Sequence, residues 1–173
     1  MEKELLAGLI TAVLIAVALG LIWLGWRNRL RRQSDIEPLP PVPAGLGEPL
    51  LTAEGQYVAT TTAGDWLDRI AVHGLGIRTN AQLSVHPEGV LLDRSGAAPL
   101  FIPAAGLSAL RQDSGMAGKF VEKDGLLVLT WMLGTHQVDT GFRTRRAADK
   151  PALLQKLQEL ISAGPQADTH SGK

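Results

Sequence analysis

The side chains with the most chemical capacity lie in one run, Thr61–Arg78, TTAGDWLDRIAVHGLGIR. It brings Asp65, Asp68, Arg69, His73 and Arg78 close to a single tryptophan, Trp66. Two chemistries fit such a set. Paired carboxylates can divide acid and base roles, but only where a desolvated cleft drives their pKa values apart, and nothing in this run provides one. Recognition fits better, with Trp66 as anchor and Arg69, His73 and Arg78 as polar specificity groups on a loop. A purely structural reading competes. Asp65 would cap a short helix with Asp68 in its first turn, and Trp66, Leu67, Ile70 and Ala71 would cover one end of the domain, with Gly74 as the stop.

A second cluster, Arg143, Arg145, Arg146 and Lys150, is either an anion-binding patch or a solvated basic face. Elsewhere the chemistry thins out. The four histidines, His73, His86, His136 and His170, lack metal-ligand spacing. The absence of cysteine removes thiol catalysis, thiolate metal sites and disulfides together. No G-x-S-x-G elbow occurs, and neither Gly45-Leu46-Gly47 nor Gly74-Leu75-Gly76 completes a phosphate-cradling loop. The expectation is a protein that is not an enzyme, with no catalytic residue, cofactor or metal. Lys plus Arg balance Asp plus Glu, 17 against 17, so no overall field favours nucleic acid.

The elements that position these groups begin with Leu5–Trp26, which contains no charged residue. As a helix of about 1.5 Å per residue, such a run crosses a hydrocarbon core of about 30 Å. A cleaved signal peptide is the rival reading, since Ala16-Val17-Ala18 resembles a cleavage site. The acidic start MEKE and the apolar continuation to Trp26 favour an uncleaved anchor over residues 1–32. Arg27, Arg29, Arg31 and Arg32 against Lys3 alone place the N-terminus outside and the rest in the cytoplasm, at the inner membrane. Gly8, Ala12, Ala16 and Gly20 recur every fourth residue, a ladder that admits a second helix or self-association. Residues 33–54 hold five of the ten prolines and read as a semi-rigid spacer carrying the domain away from the bilayer.

From residue 55 to 164 the pattern is short apolar runs broken by turn residues. YVATT, TNAQLSV, VLLDR, LFIP, LSALRQ, GLLVLTWMLG and HQVDTGF make about seven strands. Trp131 falls in the most apolar of them and reads as core. The period then changes, and Leu153, Leu154, Leu157, Leu160 and Ile161 form one helical face, with Asp149 as N-cap and Gly164-Pro165 as the stop. Residues 165–173 read as a disordered tail. Seven antiparallel strands closed by one amphipathic helix is the order of a pleckstrin-homology-like (PH-like), partly open barrel, here with one transmembrane helix in front of it.

The phrases GDWLDRIAVHGLGIR, GVLLDR, LFIPAAGL, GMAGKF, LVLTWMLG and DTGFR, taken in order, resemble a family of actinobacterial single-pass membrane proteins with a PH-like domain. Members are labelled as PH-like domain, export or membrane proteins, or transporters. The resemblance implies this same architecture and a gene-neighbourhood association with pyrimidine biosynthesis. It brings no site residues. The functional expectation is therefore a membrane-anchored interaction module that presents a cytoplasmic PH-like domain to a protein partner. The alternatives are an accessory subunit of a transport or export assembly, and a lipid- or anion-binding sensor. One helix does not by itself make a transport path.

Overall fold

The computed structural model describes residues 2–33 and 35–163. The expected tail and the Gly164-Pro165 helix stop lie outside them, as do the side chains of Arg29, Arg31 and Arg32. The chain divides into two compact units between Asp35 and Ile36.

The first unit is one helix, α1 (Glu2–Arg32). Within it Leu6–Asn28, 23 residues with none buried, is long and apolar enough to cross a membrane. Its one mid-span hydroxyl returns to the helix, Thr11 Oγ1 donating to the Ala7 carbonyl at 2.9 Å. This is how a polar group is tolerated where water is absent. Near the C-terminal end the Arg27 guanidinium stacks over Trp23, 5.3 Å from the ring centre.

The second unit is built on seven strands: β1 (Leu51–Thr62), β2 (Thr79–His86), β3 (Gly89–Arg94), β4 (Leu100–Pro103), β5 (Leu107–Asp113), β8 (Leu126–Leu133) and β9 (His136–Thr144). Between β5 and β8 lies a hairpin that the apolar pattern did not announce, β6 (Gly115–Met116) with β7 (Lys119–Phe120). All pairings are antiparallel, and the order across the main sheet is β4-β3-β2-β1-β9-β8-β5. The helix α2 (Lys150–Ala163) packs Leu153, Leu157 and Leu160 into the core, with Leu154 and Ile161 at its margin. Each fully buried leucine is worth about 1.5–3 kcal/mol, so this one face is enough to hold the helix down.

β1 is the strand that lets the sheet fold over. Its first half pairs with β2, and from Gly55 onward it also pairs with β9. Gly55 sits where these neighbours crowd, and a Cβ there would run into the Arg143 carbonyl and the Phe142 ring. A bulge between Tyr57 and Ala59 then changes the parity of the strand. Val58 and Ala59 consequently join Met116, Leu126 and Val128 in a small second core. The β6–β7 hairpin supplies Met116, and the absence of a side chain at Gly141 makes room for its sulfur.

Three expectations need correction. Residues 36–50 are not a spacer held clear of the domain, because Ile36 and Leu39 pack against the main core, and β1 begins at Leu51. The prolines keep this segment out of helix and sheet, but its apolar residues still find the barrel. Second, no α-helix forms over residues 65–71. Asp65 Oδ1 instead accepts the amides of Leu67 and Asp68 at 3.0 and 3.2 Å, closing a tight turn. The chain then runs back along β1, with the Ile70 amide donating to the Thr60 carbonyl and the Thr62 amide to the Asp68 carbonyl. Third, α2 is entered through a 3-10 turn, Ala147–Asp149, and the Asp149 carboxylate accepts Arg146 Nε at 2.9 Å.

Candidate functional site

The run from Thr61 to Arg78 closes one end of the barrel, and polar side chains hold it there. Three consecutive carbonyls are gripped from three elements. Arg94 Nη1 donates to Gly74 at 2.9 Å, the Tyr57 hydroxyl to Leu75 at 2.6 Å, and Arg69 Nη1 to Gly76 at 3.2 Å. Ile70 and Leu75 are buried beneath them. Arg94 is itself in the interior, stacked 4.8 Å over the Tyr57 ring, with Nε on the Ala98 carbonyl. A buried guanidinium is costly unless its donors are met, which two carbonyls and an aromatic face largely achieve.

Tyr57 also starts a buried polar chain. Its oxygen lies 2.8 Å from Thr60 Oγ1, which lies 2.8 Å from Thr140 Oγ1, and that oxygen accepts Trp131 Nε1 at 2.8 Å. Burial pushes the Tyr57 hydroxyl up to about 12, against the opposing pull of the Thr60 bond and the Arg94 charge.

Of the residues expected to form an interaction surface, most are occupied in this clamp. Arg69 reaches from Gly76 to the β6–β7 hairpin, with Nη2 on the Ala117 carbonyl at 2.8 Å. The Ala117 amide donates to the Trp66 carbonyl at 2.7 Å, so the loop and the hairpin hold each other. Asp65 makes the turn, Asp68 accepts the Thr62 hydroxyl at 2.7 Å, and Arg78 donates to Gln56 Oε1. His73 has a left-handed φ of 55°, and its Nε2 lies 3.1 Å from the Ile36 carbonyl. Three apolar side chains project alongside the exposed Asp65, His73 and Arg78: Trp66 is 38 % exposed, Leu67 58 % and Ile77 60 %.

The basic cluster stands at the rim of a different feature. The outer face of β2, β1 and β9 forms a cleft of about 670 Å³ floored by Gln56, Asn80 and Gln82. Arg143, Arg145 and Lys150 line it, whereas Arg146 lines an adjoining depression of about 360 Å³. Glu54, Gln82 and Arg145 border both, so the two make one polar trough. Its cations all have partners. Arg143 meets Glu122 at 2.7 Å, Arg145 meets Glu54 at 3.5 Å, and Lys150 Nζ donates to the Asp124 carbonyl at 2.8 Å. The Glu122 carboxyl is held below its usual range by its own backbone amide and by Arg143. Exposed pairs of this kind contribute little to stability and exchange readily for other partners.

Sequence reasoning missed a third cluster. Asp139 is buried on β9 and accepts Arg111 Nη2 at 2.9 Å, Thr130 Oγ1 at 2.6 Å and the Gly64 amide at 3.2 Å. Burial alone would raise this carboxyl, but those hydrogen bonds and the Arg111 charge together hold it below the ordinary aspartate value. The arrangement ties β5, β8, β9 and the start of the loop together. Among the described residues no group of three or more His, Asp or Glu side chains could hold a metal ion.

A family model described as Bacterial PH domain-like matches residues 36–158. Among solved structures, the C-terminal domain of an unknown protein from Leishmania infantum is 13 % identical with a TM-score of 0.42, covering 81 % of this chain and 98 % of its own. The human C-terminal PH domain of FYVE, RhoGEF and PH domain containing protein 3 is 13 % identical with a TM-score of 0.41, covering 72 % and 97 %. Likenesses of this size carry no inference about activity. No functionally curated protein matches the sequence.

Proposed function

Because the chain belongs to the Bacterial PH domain-like family, we propose that it is a membrane-anchored, non-enzymatic interaction module that presents this domain to a protein partner at the inner face of the cell membrane. The observation that carries the proposal is the union, in one chain, of an unburied apolar helix of membrane-crossing length with a PH-like domain bearing a polar trough. The trough suits an extended polar segment of a partner. Amides at its floor can pair with either polarity, and the loosely held Arg145 and Lys150 can trade their present partners for carboxylates. The 61–78 run suits such a partner less well, because its polar groups already hold the loop. Anchoring would raise the local concentration of whatever the trough binds.

The basic flank of Arg27, Arg29, Arg31 and Arg32 supports an N-out, domain-in orientation. Two measurements test the anchor. After an alkaline carbonate wash of cell membranes, the full-length chain stays in the pellet, and its intact mass includes residues 1–32. A soluble chain shortened at the Ala16–Ala18 region would make the helix a signal sequence instead. A reporter fused after Lys173 is active only in the cytoplasm; periplasmic activity would reverse the orientation.

A further inference from the structure

Strand register sets the polar side chains of the trough in two parallel rows. In one, Asn80 on β2 lies opposite Gln56 on β1, which lies opposite Arg143 on β9. In the next, Gln82 lies opposite Glu54, and the Arg145 amide continues the row by donating to the Glu54 carbonyl at 2.8 Å. Each row therefore runs from a side-chain amide to a guanidinium. Side chains two apart on a strand share a face, so the rows are about 7 Å from one another.

The two guanidinium groups are held differently. Arg143 presents Nε and Nη2 to the two oxygens of Glu122, at 3.3 and 2.7 Å. This is the forked geometry in which arginine recognises a carboxylate, and here the chain itself supplies the carboxylate. Arg145 reaches Glu54 only at 3.5 Å, with both side chains mostly exposed. Arg146 and Lys150 bring the cations lining the trough to four, against the two carboxylates of Glu54 and Glu122. That excess selects an acidic occupant. Among the described residues no aromatic ring lines the trough, so it lacks the stacking platform that single-stranded nucleic acid uses.

We propose that the trough binds an extended acidic segment of the partner, with carboxylates two residues apart, one seated on Arg143 and the other on Arg145. The inference rests on the protein-partner reading and gives that partner its chemistry. An extended chain repeats each face at every second residue, with the same step of about 7 Å, so both carboxylates fall on the rows. The exposed amides of Asn80 and Gln82 offer donors and acceptors to its backbone. Glu122 is then the internal competitor of the site, displaced when the first carboxylate enters.

The full-length chain in zwitterionic detergent micelles is titrated with a fluorescent, end-blocked, threonine-rich peptide carrying two glutamates with one threonine between them, followed by anisotropy. One comparator has the same composition with the glutamates adjacent, and so on opposite faces; the other has glutamines in their place. The separated pair should bind at least about tenfold more tightly than either comparator. Arg143→Gln and Arg145→Gln should each weaken it by about tenfold, and Glu122→Gln should strengthen it by up to about fivefold. Lys156→Gln, a change on α2 outside the trough, should leave binding as it was. Equal binding of the separated and adjacent pairs, or binding that persists in both arginine variants, would overturn the proposal. Displacement of the peptide by oligothymidylate would reassign the trough to nucleic acid and overturn it as well. If no peptide binds while a photo-reactive side chain at Gln82 still captures a discrete protein in cells, the acidic segment is wrong and the protein-partner reading survives. Loss of both removes the two together.

Discussion

The closed end of the barrel and the trough on its outer face use the same residue types for opposite ends. At the closed end, Arg69 and Arg94 aim at backbone carbonyls that would otherwise lack a full set of partners, so these two guanidinium groups are fixed. At the trough, Arg143 and Arg145 face carboxylates on the surface and keep the option of exchange. The contrast teaches that an arginine near a tryptophan is not by itself a recognition group. What decides is whether the local backbone has carbonyls to satisfy. A long loop folded back on a barrel has many, whereas a regular sheet face has none to spare.

Arg94→Ala should break the contrast most severely. It removes the stack on Tyr57 and leaves the Gly74 and Ala98 carbonyls short of a donor, which we expect to cost about 2–4 kcal/mol. Denaturation followed by far-ultraviolet circular dichroism should show an earlier midpoint, with hydrogen exchange rising first over residues 69–76. An unchanged midpoint would mean that the loop is held by its apolar residues alone.

Tyr57→Phe is a milder version, expected to cost about 1–2 kcal/mol for the lost bonds to Leu75 and Thr60. Tyr57 is the single tyrosine, so its ionisation can be followed directly by absorbance. The native hydroxyl should titrate at about 12, not at 10.0. The folded state favours the protonated form, so its contribution is complete below 10.0, the unfolded value, and is lost as pH rises through the folded value of about 12.

Asp139 gives the opposite dependence. Its folded pKa is depressed, so its contribution is present above the ordinary value of 3.8 and fades as pH falls through the lower folded value. Asp139→Asn should flatten the acid limb of stability, read as midpoint against pH, and lower the plateau near neutrality. The smallest effect on stability is expected at the trough. Glu122→Gln should leave the thermal midpoint within error, yet increase salt-sensitive retention on an anionic resin because Arg143 loses its partner. A clear drop in the midpoint would mean that the trough is a structural brace.

Much of this architecture is legible in the sequence because it is local. Alternation in TNAQLSV places Leu83 and Val85 inward, and the helical face from Leu153 to Ile161 reads directly. The same parity places Arg94 inward with Val90 and Leu92, at a position where alternation leads one to expect an apolar residue. The trough was not legible. Its floor comes from β1 and β2 and its wall from β9, and no local pattern reports the register between strands more than fifty residues apart. The loop misled for a physical reason. Asp65, Trp66 and Asp68 have the spacing of a helix start, but the edge of β1 offered the backbone better partners than a helical turn would. Residues 36–50 misled similarly, since proline density says only that the segment is not helical, and Ile36 and Leu39 decide where it lies.

The measurement to make is paired photo-crosslinking in cells, with the reactive side chain at Gln82 in one full-length chain and at Leu67 in another. We expect a discrete protein adduct from position 82 and none from position 67. A protein adduct from position 67, with none from position 82, would contradict this assignment and return the partner surface to the loop.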